Sequence, residues 1–407
     1  MYHKVHVKII IKKIKIYMTS ILQKIDYVLK HNNFAYNFYR SFFSSFFKFV
    51  GLFVKTDKVL ILFTGHGKRY NDSPRAIYLY LVEKGLDKEY HCVWSVDDPN
   101  KYDIPGTREV IVTDTWKYFI TALKAKYWCC CVNMERGLHF KKKTTKFLHT
   151  WHGASINLCG NAVGLRKDFD FGNVDFMCIS GEYEREFVKR DFRVRDESII
   201  VTGLPRNDRL YHASKDEIKG LRKKFNIPEG KKAILYAPTW RDSNDGGKHY
   251  SIVPPIDWKK WERELGDKYV LLLRTHPYTT EAMKVDFNDF LRDCTSYPDV
   301  NDLMLVADIL ISDYSSTILD YCILDRPIVC FGYDYDEYAR VRGFYYDLRT
   351  TLPSGVKETE DDVLDYIKTA SYEKECEKTR RFHLSHMEAG GDATKQCVEK
   401  LLDIHIK

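Results

Sequence analysis

ILISDYSSTILDYCILDRPIV, residues 309–329, runs from an apolar strand through a short polar turn into a helix, then toward a second apolar strand. Ile309, Leu310 and Ile311 have the β-branched, buried character of a central strand, and RPIVCFG (326–332) repeats it. Strand, turn, helix, strand is the repeating unit of a doubly wound parallel sheet. In such sheets ligands bind outside the carboxyl ends of the strands. Asp313, Ser315, Ser316 and Thr317 occupy that position here. Hydroxyls and free backbone N–H groups at a helix start favour an anion. One Ser or Thr is an ordinary N-cap; three beside an aspartate exceed that need. Asp320, about one turn further in, is placed to meet a ribose hydroxyl.

The same alternation extends outward from this stretch in both directions. KAILYAPTW (232–240), YVLLLRTHP (269–277) and ADILISD (307–313) are strands of one unit, closed by helices within 359–406. Upstream, KVLILFTG (58–65) is a buried strand and SPRAIYLYLVEKG (73–85) a helix. Strands follow at 91–96, 109–113, 126–133, 146–153, 174–180 and 198–203. The chain thus divides into a segment 1–54, a first α/β domain 55–205, a polar linker 206–232 and a second α/β domain 233–407. Two such domains imply a cleft between them. Neither carries G-x-G-x-x-G or G-x-x-x-x-G-K-[ST], so the sequence signals of dinucleotide and P-loop sites are missing.

Three more strand ends carry candidate chemistry. In TWHGASINLCG (150–160), His152 follows a strand and precedes Gly153, and a neutral imidazole there can take a proton from a hydroxyl near neutral pH. A histidine that merely caps a turn is the plainer reading of that residue alone. In YAPTWRDS (236–243), Arg241 can grip a phosphate bidentately and Thr239 can donate to it; a surface arginine paired with Asp242 is the alternative. In LLLRTHP (271–277), Arg274 and His276 lie two apart and face one side of a continuing strand, which suits an anionic ligand. An ion-pairing role for Arg274 competes. Together the four segments suit phosphoryl or glycosyl transfer from a nucleotide diphosphate donor.

Charge separates the N-terminal segment from the rest. Residues 1–55 hold ten Lys or Arg against one acid, Asp26, whereas the remainder holds 54 basic and 56 acidic side chains. The folded body therefore lacks the basic patch expected of a nucleic-acid-binding domain. FAYNFYRSFFSSFFKFVGLFV (34–54) is aromatic, but Arg40 and Lys48 interrupt it. A basic aromatic helix lying in the interface of an anionic membrane fits it better than a spanning helix. A helix packed on the first domain with its basic residues solvated is the other reading. Residues 1–17 resemble neither a signal peptide nor a span, and Met18 is an alternative start. The eleven cysteines form no CxxC pair and mostly lie in apolar runs, as buried thiols in a reducing compartment do. No Cys/His spacing matches a structural zinc site.

WHG (151–153), GLPRND (203–208), YAPTWRD (236–242), RTHP (274–277) and SDYSSTILDY (312–321) together resemble the ordered motifs of the CDP-glycerol glycerophosphotransferases, enzymes of teichoic-acid synthesis. FTGHGKRYNDSPRAIYLYL (63–81), AKYWCCCVN (125–133), RGFYYDL (342–348) and the Gly-Asp-Ala-Thr at 391–394 extend the likeness over roughly 58–402. It implies two Rossmann-like domains of the GT-B type, with the donor mainly in the second. His152 would be the base for the acceptor hydroxyl, and His276 would contact the pyrophosphate. Thr239, Arg241, Arg274, Asp313, Ser315, Ser316 and Thr317 would form the donor side, with Asp320 at the ribose. Gly153 and Asn157 would lie on the acceptor side. The implied donor is CDP-glycerol and the implied acceptor a lipid-linked glycan or polyol phosphate at the cytoplasmic face of the membrane, with the enzyme peripheral. No cofactor is assigned, and divalent-metal dependence is left open. CDP-ribitol as donor, a GT-B glycosyltransferase using a nucleotide sugar, and a non-catalytic membrane-surface assembly protein are the alternatives. One departure stands out: WHGASINLCG replaces the usual WHGTPLKKIG, so Ala154, Ser155 and Asn157 replace Thr, Pro and Lys. A positive charge beside the acceptor site is thereby lost.

Overall fold

A computed structural model describes residues 32–163, 169–239, 253–275, 283 and 285–406. Two sheets dominate it. The first contains β1 (Asp57–Thr64), β2 (His91–Val96), β3 (Glu109–Val112), β4 (Ala125–Cys130), β5 (Lys146–His149), β6 (Phe176–Ile179) and β7 (Ile199–Val201), in the order 3-2-1-4-5-6-7. The second contains β8 (Lys232–Tyr236), β9 (Tyr269–Leu273), β10 (Leu291–Asp293), β11 (Ile309–Ser312), β12 (Ile328–Phe331) and β13 (Val356–Lys357), in the order 10-9-8-11-12-13. Every pairing in both sheets is parallel. This is the doubly wound arrangement expected from the alternation. Strand order reverses between β1 and β4 in the first sheet and between β8 and β11 in the second, which opens a crevice at each carboxyl edge.

The central strands are buried on both faces. Ile61, Leu62 and Phe63 of β1 and Ile234, Leu235 and Leu271 of β8 and β9 are fully excluded from solvent, as near-continuous apolar runs in parallel sheets require. β10 and β13 escape the sequence reading because they are edge strands of three and two residues with charged members. The strand expected over 146–153 stops at His149, and Trp151 adopts a left-handed φ of 52°. His152 therefore sits on a loop beyond the sheet edge, where its ring can turn into the crevice.

Two boundaries differ from those expected. Leu210, Leu221 and Ile227, within the supposed linker 206–232, are buried in the same core cluster as Leu235 and Leu310. The segment's polar face is solvated, but its apolar stripe makes it part of the second domain. Conversely, the closing helix Ala393–Leu402 leaves the second domain. Its Cys397, Val398, Leu401 and Leu402 join the core of Ile61, Phe63 and Ile77 in the first. The Asp208 carboxylate caps it, accepting from the backbone N–H groups of Ala393 (3.0 Å) and Thr394 (2.7 Å).

The helix Asn33–Phe53 starts at Asn32, whose side chain accepts from Ala35 N (3.0 Å). Phe47 and Ser44 are buried against the first domain, and Ser44 Oγ accepts from His139 N (2.9 Å). The outer face is aromatic and open: Phe34, Phe38, Phe42, Phe49, Leu52 and Phe53 are 54–82% exposed. Among the described residues no helix is long and apolar enough to cross a membrane. Residues 1–31 lie outside the described residues.

Candidate active site

A cleft of about 840 Å³ lies where the two carboxyl edges meet, and His66, His152, Arg206, Arg274, Ser316 and Thr317 help to line it. His152 is half-buried on the wall of this cleft. Its Nδ1 lies 3.0 Å from the Cys131 carbonyl at the end of β4. A carbonyl can only accept, so Nδ1 carries the hydrogen and Nε2 keeps its lone pair. Burial is the main cause that lowers the imidazole pKa to about 4, and His66, with ring centroids 4.8 Å apart, pushes the same way. The ring is thus held neutral, in the tautomer a base requires.

Gly153 is where this loop meets the second domain. A Cβ added there would lie 2.7 Å from Ser316 Oγ. The base and the hydroxyl turn therefore face each other with only a glycine between their backbones. In that turn Ser315 Oγ donates to Thr317 Oγ1 (2.9 Å) and accepts from Thr317 N (3.2 Å), so its hydroxyl is spent locally. Ser316 and Thr317 line the cleft.

Arg206, which follows β7, organises the middle of the cleft. It donates to both oxygens of Asp72 (3.1 and 3.0 Å), to the His152 carbonyl (2.7 Å) and to Asp320 Oδ2 (2.6 Å). Burial alone would lower the guanidinium pKa, but the Asp320 and Asp72 carboxylates outweigh it and raise it. The other Asp320 oxygen accepts from Asn207 Nδ2 (2.6 Å). Asp320 is thus the counter-ion of Arg206 and still lines the cleft on which the expected ribose contact would fall. Asp313 is likewise a scaffold residue. Its Oδ1 accepts from Thr239 N (2.7 Å) and Tyr314 N (2.6 Å), tying the β8 loop to the β11 turn. A carboxylate so placed repels phosphate, so a direct phosphate contact does not follow.

Arg274 lies on the second-domain wall and donates to the Cys294 (3.4 Å) and Tyr297 carbonyls. Among the described residues no carboxylate pairs with it. It brings a guanidinium to the cleft, where burial lowers its pKa and the nearby Asp299 carboxylate opposes that shift. Asn157 does not line the cleft; its Nδ2 donates to the Tyr314 carbonyl (2.9 Å), against the acceptor-side place expected of it. Arg241 and His276 lie outside the described residues. His66, Asp72 and Arg206 were not singled out from the sequence. GLPRND has the same layout as the four chosen segments, a strand end followed by compact polar residues, and that signal points to Arg206.

Two doubly wound domains flanking a cleft, with the His152 imidazole on one wall and hydroxyls and the Arg274 guanidinium on the other, have the arrangement of a GT-B-type transferase. The sequence profile of the CDP-Glycerol:Poly(glycerophosphate) glycerophosphotransferases matches residues 44–389. The chain is 32% identical over 335 residues to the teichoic acid glycerol-phosphate transferase of Staphylococcus aureus, covering 77% of this chain and 84% of the relative. It is 30% identical over 383 residues to the teichoic acid poly(glycerol phosphate) polymerase of Bacillus spizizenii, covering 88% and 96%. The structure of the wall teichoic acid polymerase TagF superposes with a TM-score of 0.78 at 29% identity, covering 88% of this chain and 92% of that one. The chain belongs to the CDP-glycerol:poly(glycerophosphate) glycerophosphotransferase family.

Proposed function

We propose that this enzyme moves glycerol phosphate from CDP-glycerol to a hydroxyl of a membrane-held glycan or polyol-phosphate acceptor, releasing CMP, in teichoic-acid-like polymer synthesis. The observation that carries the reading is the neutral His152, whose Nδ1 is held by the Cys131 carbonyl while the cleft receives the ring. The acceptor oxygen attacks the phosphorus that bears glycerol. Its proton passes to His152 Nε2, the new P–O bond forms, and the bond to the CMP phosphate breaks. Arg274 and the hydroxyls of Ser316 and Thr317 hold the donor phosphates. Arg241 and His276 keep the donor-side roles that the motif resemblance implies. Positioning and fixed charge supply the rate enhancement.

The exposed aromatic face of Asn33–Phe53 supports a peripheral place on an anionic cytoplasmic membrane surface. Trp116 continues that face, with its ring centroid 6.2 Å from Phe46 and 6.0 Å from Phe47. The basic residues of the N-terminal segment add attraction to anionic lipid. A lipid-linked acceptor then reaches the cleft without leaving the bilayer.

The test is CMP release from CDP-glycerol with a lipid-linked acceptor present. His152→Ala is expected to lower turnover by about 10²-fold or more. Release of nucleoside diphosphate from a nucleotide sugar, with none from CDP-glycerol, would overturn the reading.

A further inference from the structure

The loop after His152 begins in the first domain and ends inside the second. Ala154 and Ile156, at 2% and 1% exposure, belong to the second-domain core that contains Leu235, Leu310 and Ile318. The backbone there is stitched to the 343–345 loop: Tyr345 N donates to the Ile156 carbonyl (3.0 Å) and Leu158 N to the Gly343 carbonyl (3.1 Å). Asn157 and Phe344 face each other between these bonds as an antiparallel pair. Gly343 has φ 78°, which strains any other residue, and a Cβ there would lie 2.6 Å from Leu158 Cδ1 and displace that side chain. The first-domain end is held by Glu184, which accepts from Ser155 N (3.1 Å) and Ser180 N (2.8 Å). The Asn157 amide donates to the carbonyl of Tyr314, the residue between Asp313 and Ser315.

We infer that residues 154–159 form a latch between the domains and that Asn157 is a positioning residue for His152. The inference rests on His152 being the base. The imidazole lies two residues before Ala154, on the short span between β5 and the second-domain core. Its distance from the Ser316–Thr317 hydroxyls is set by how the latch seats. Asn157 links the latch to the backbone of that same turn, so base and donor site register through one side chain. Direct acceptor binding by Asn157 would need its amide in the cleft, whereas Asn157 does not line the cleft and its Nδ2 donates to the Tyr314 carbonyl.

The test compares Asn157→Ala and Asn157→Asp in the full-length enzyme. The aspartate keeps the size but removes the donor. Both variants are expected to lower kcat about 10-fold to 100-fold, because a displaced base loses alignment. The KM for CDP-glycerol should stay within about twofold, as expected when transition-state interactions alone are lost. Backbone amide exchange at Leu158 and Tyr345 should accelerate, while that of β1 and β8 does not. An unchanged kcat overturns the inference. So does a raised acceptor KM with kcat intact, which marks a direct contact, or a fall in kcat without faster exchange. Exchange in the unmodified protein needs no variant that folds and no turnover: the Leu158 and Tyr345 amides should be as slow as those of β11. Exchange at the rate of exposed loops would overturn the latch, whereas failure of the unmodified enzyme to release CMP would overturn only the transfer reading.

Discussion

His152 has an environment that a base in the free enzyme would not choose, since a pKa of about 4 makes a weak proton acceptor. On the proposed reading the anionic donor supplies the correction, because a pyrophosphate beside the ring would favour its protonated form and raise its pKa. The acidic limb of kcat/KM, which reports the free enzyme, should therefore lie well below the usual histidine range. That of kcat should lie higher. Coincident limbs in a pH-rate study would remove donor-assisted tuning. Glu184 shows the opposite displacement. Burial raises its carboxyl from about 4.5 to about 7, outweighing the two backbone N–H groups that it accepts. Between those values the folded protein holds a proton that the unfolded chain has released, so this residue's contribution falls as pH rises and levels off above about 7. The stability difference between the unmodified protein and Glu184→Gln, measured by urea unfolding, should carry that slope.

At the scale of single elements, the helix Asn33–Phe53 does two jobs with two faces. Phe47 and Ser44 fasten it to the first domain, while Phe34, Phe38, Phe42, Phe49 and Phe53 remain exposed. Replacing Phe42 and Phe49 by serine leaves the docked face alone. It should weaken binding to phosphatidylglycerol vesicles by about tenfold or more, since a buried Phe contributes about 1.5–3 kcal/mol. Co-sedimentation measures this, and salt should weaken what binding is left. The motif RGFYYDL (342–348) holds its two charges, Arg342 and Asp347, at its ends and is aromatic between them. Its role follows from where the fold seats it, against the loop that bears the base.

Besides the main passage from the first domain to the second, two excursions of the chain tie the whole molecule. The 154–159 loop enters the second core, and the helix Ala393–Leu402 returns to the first. Leu401, 1% exposed, packs with Cys397, Val398 and Leu402 of its own helix in a core whose other buried members lie more than two hundred positions earlier. Leu401→Ala should cost about 2–5 kcal/mol and lower the urea midpoint of the first domain, although the residue lies in the chain's last helix. Local patterning determined much by itself: the alternation of apolar strands and helices, the two doubly wound domains, the family's motifs, and the placing of His152 and the Ser315–Thr317 turn at strand ends. Each depends on neighbours within a few residues, and so it is legible along the chain. Tertiary structure alone decided which partner each side chain found. Asp320 became the counter-ion of Arg206, Asp313 a backbone tie, Asn157 a bond to the opposite domain, and the final helix part of the first core. Those outcomes turn on contacts between residues about seventy or more positions apart, where distance and burial, unlike periodicity, leave no trace in the order of the amino acids.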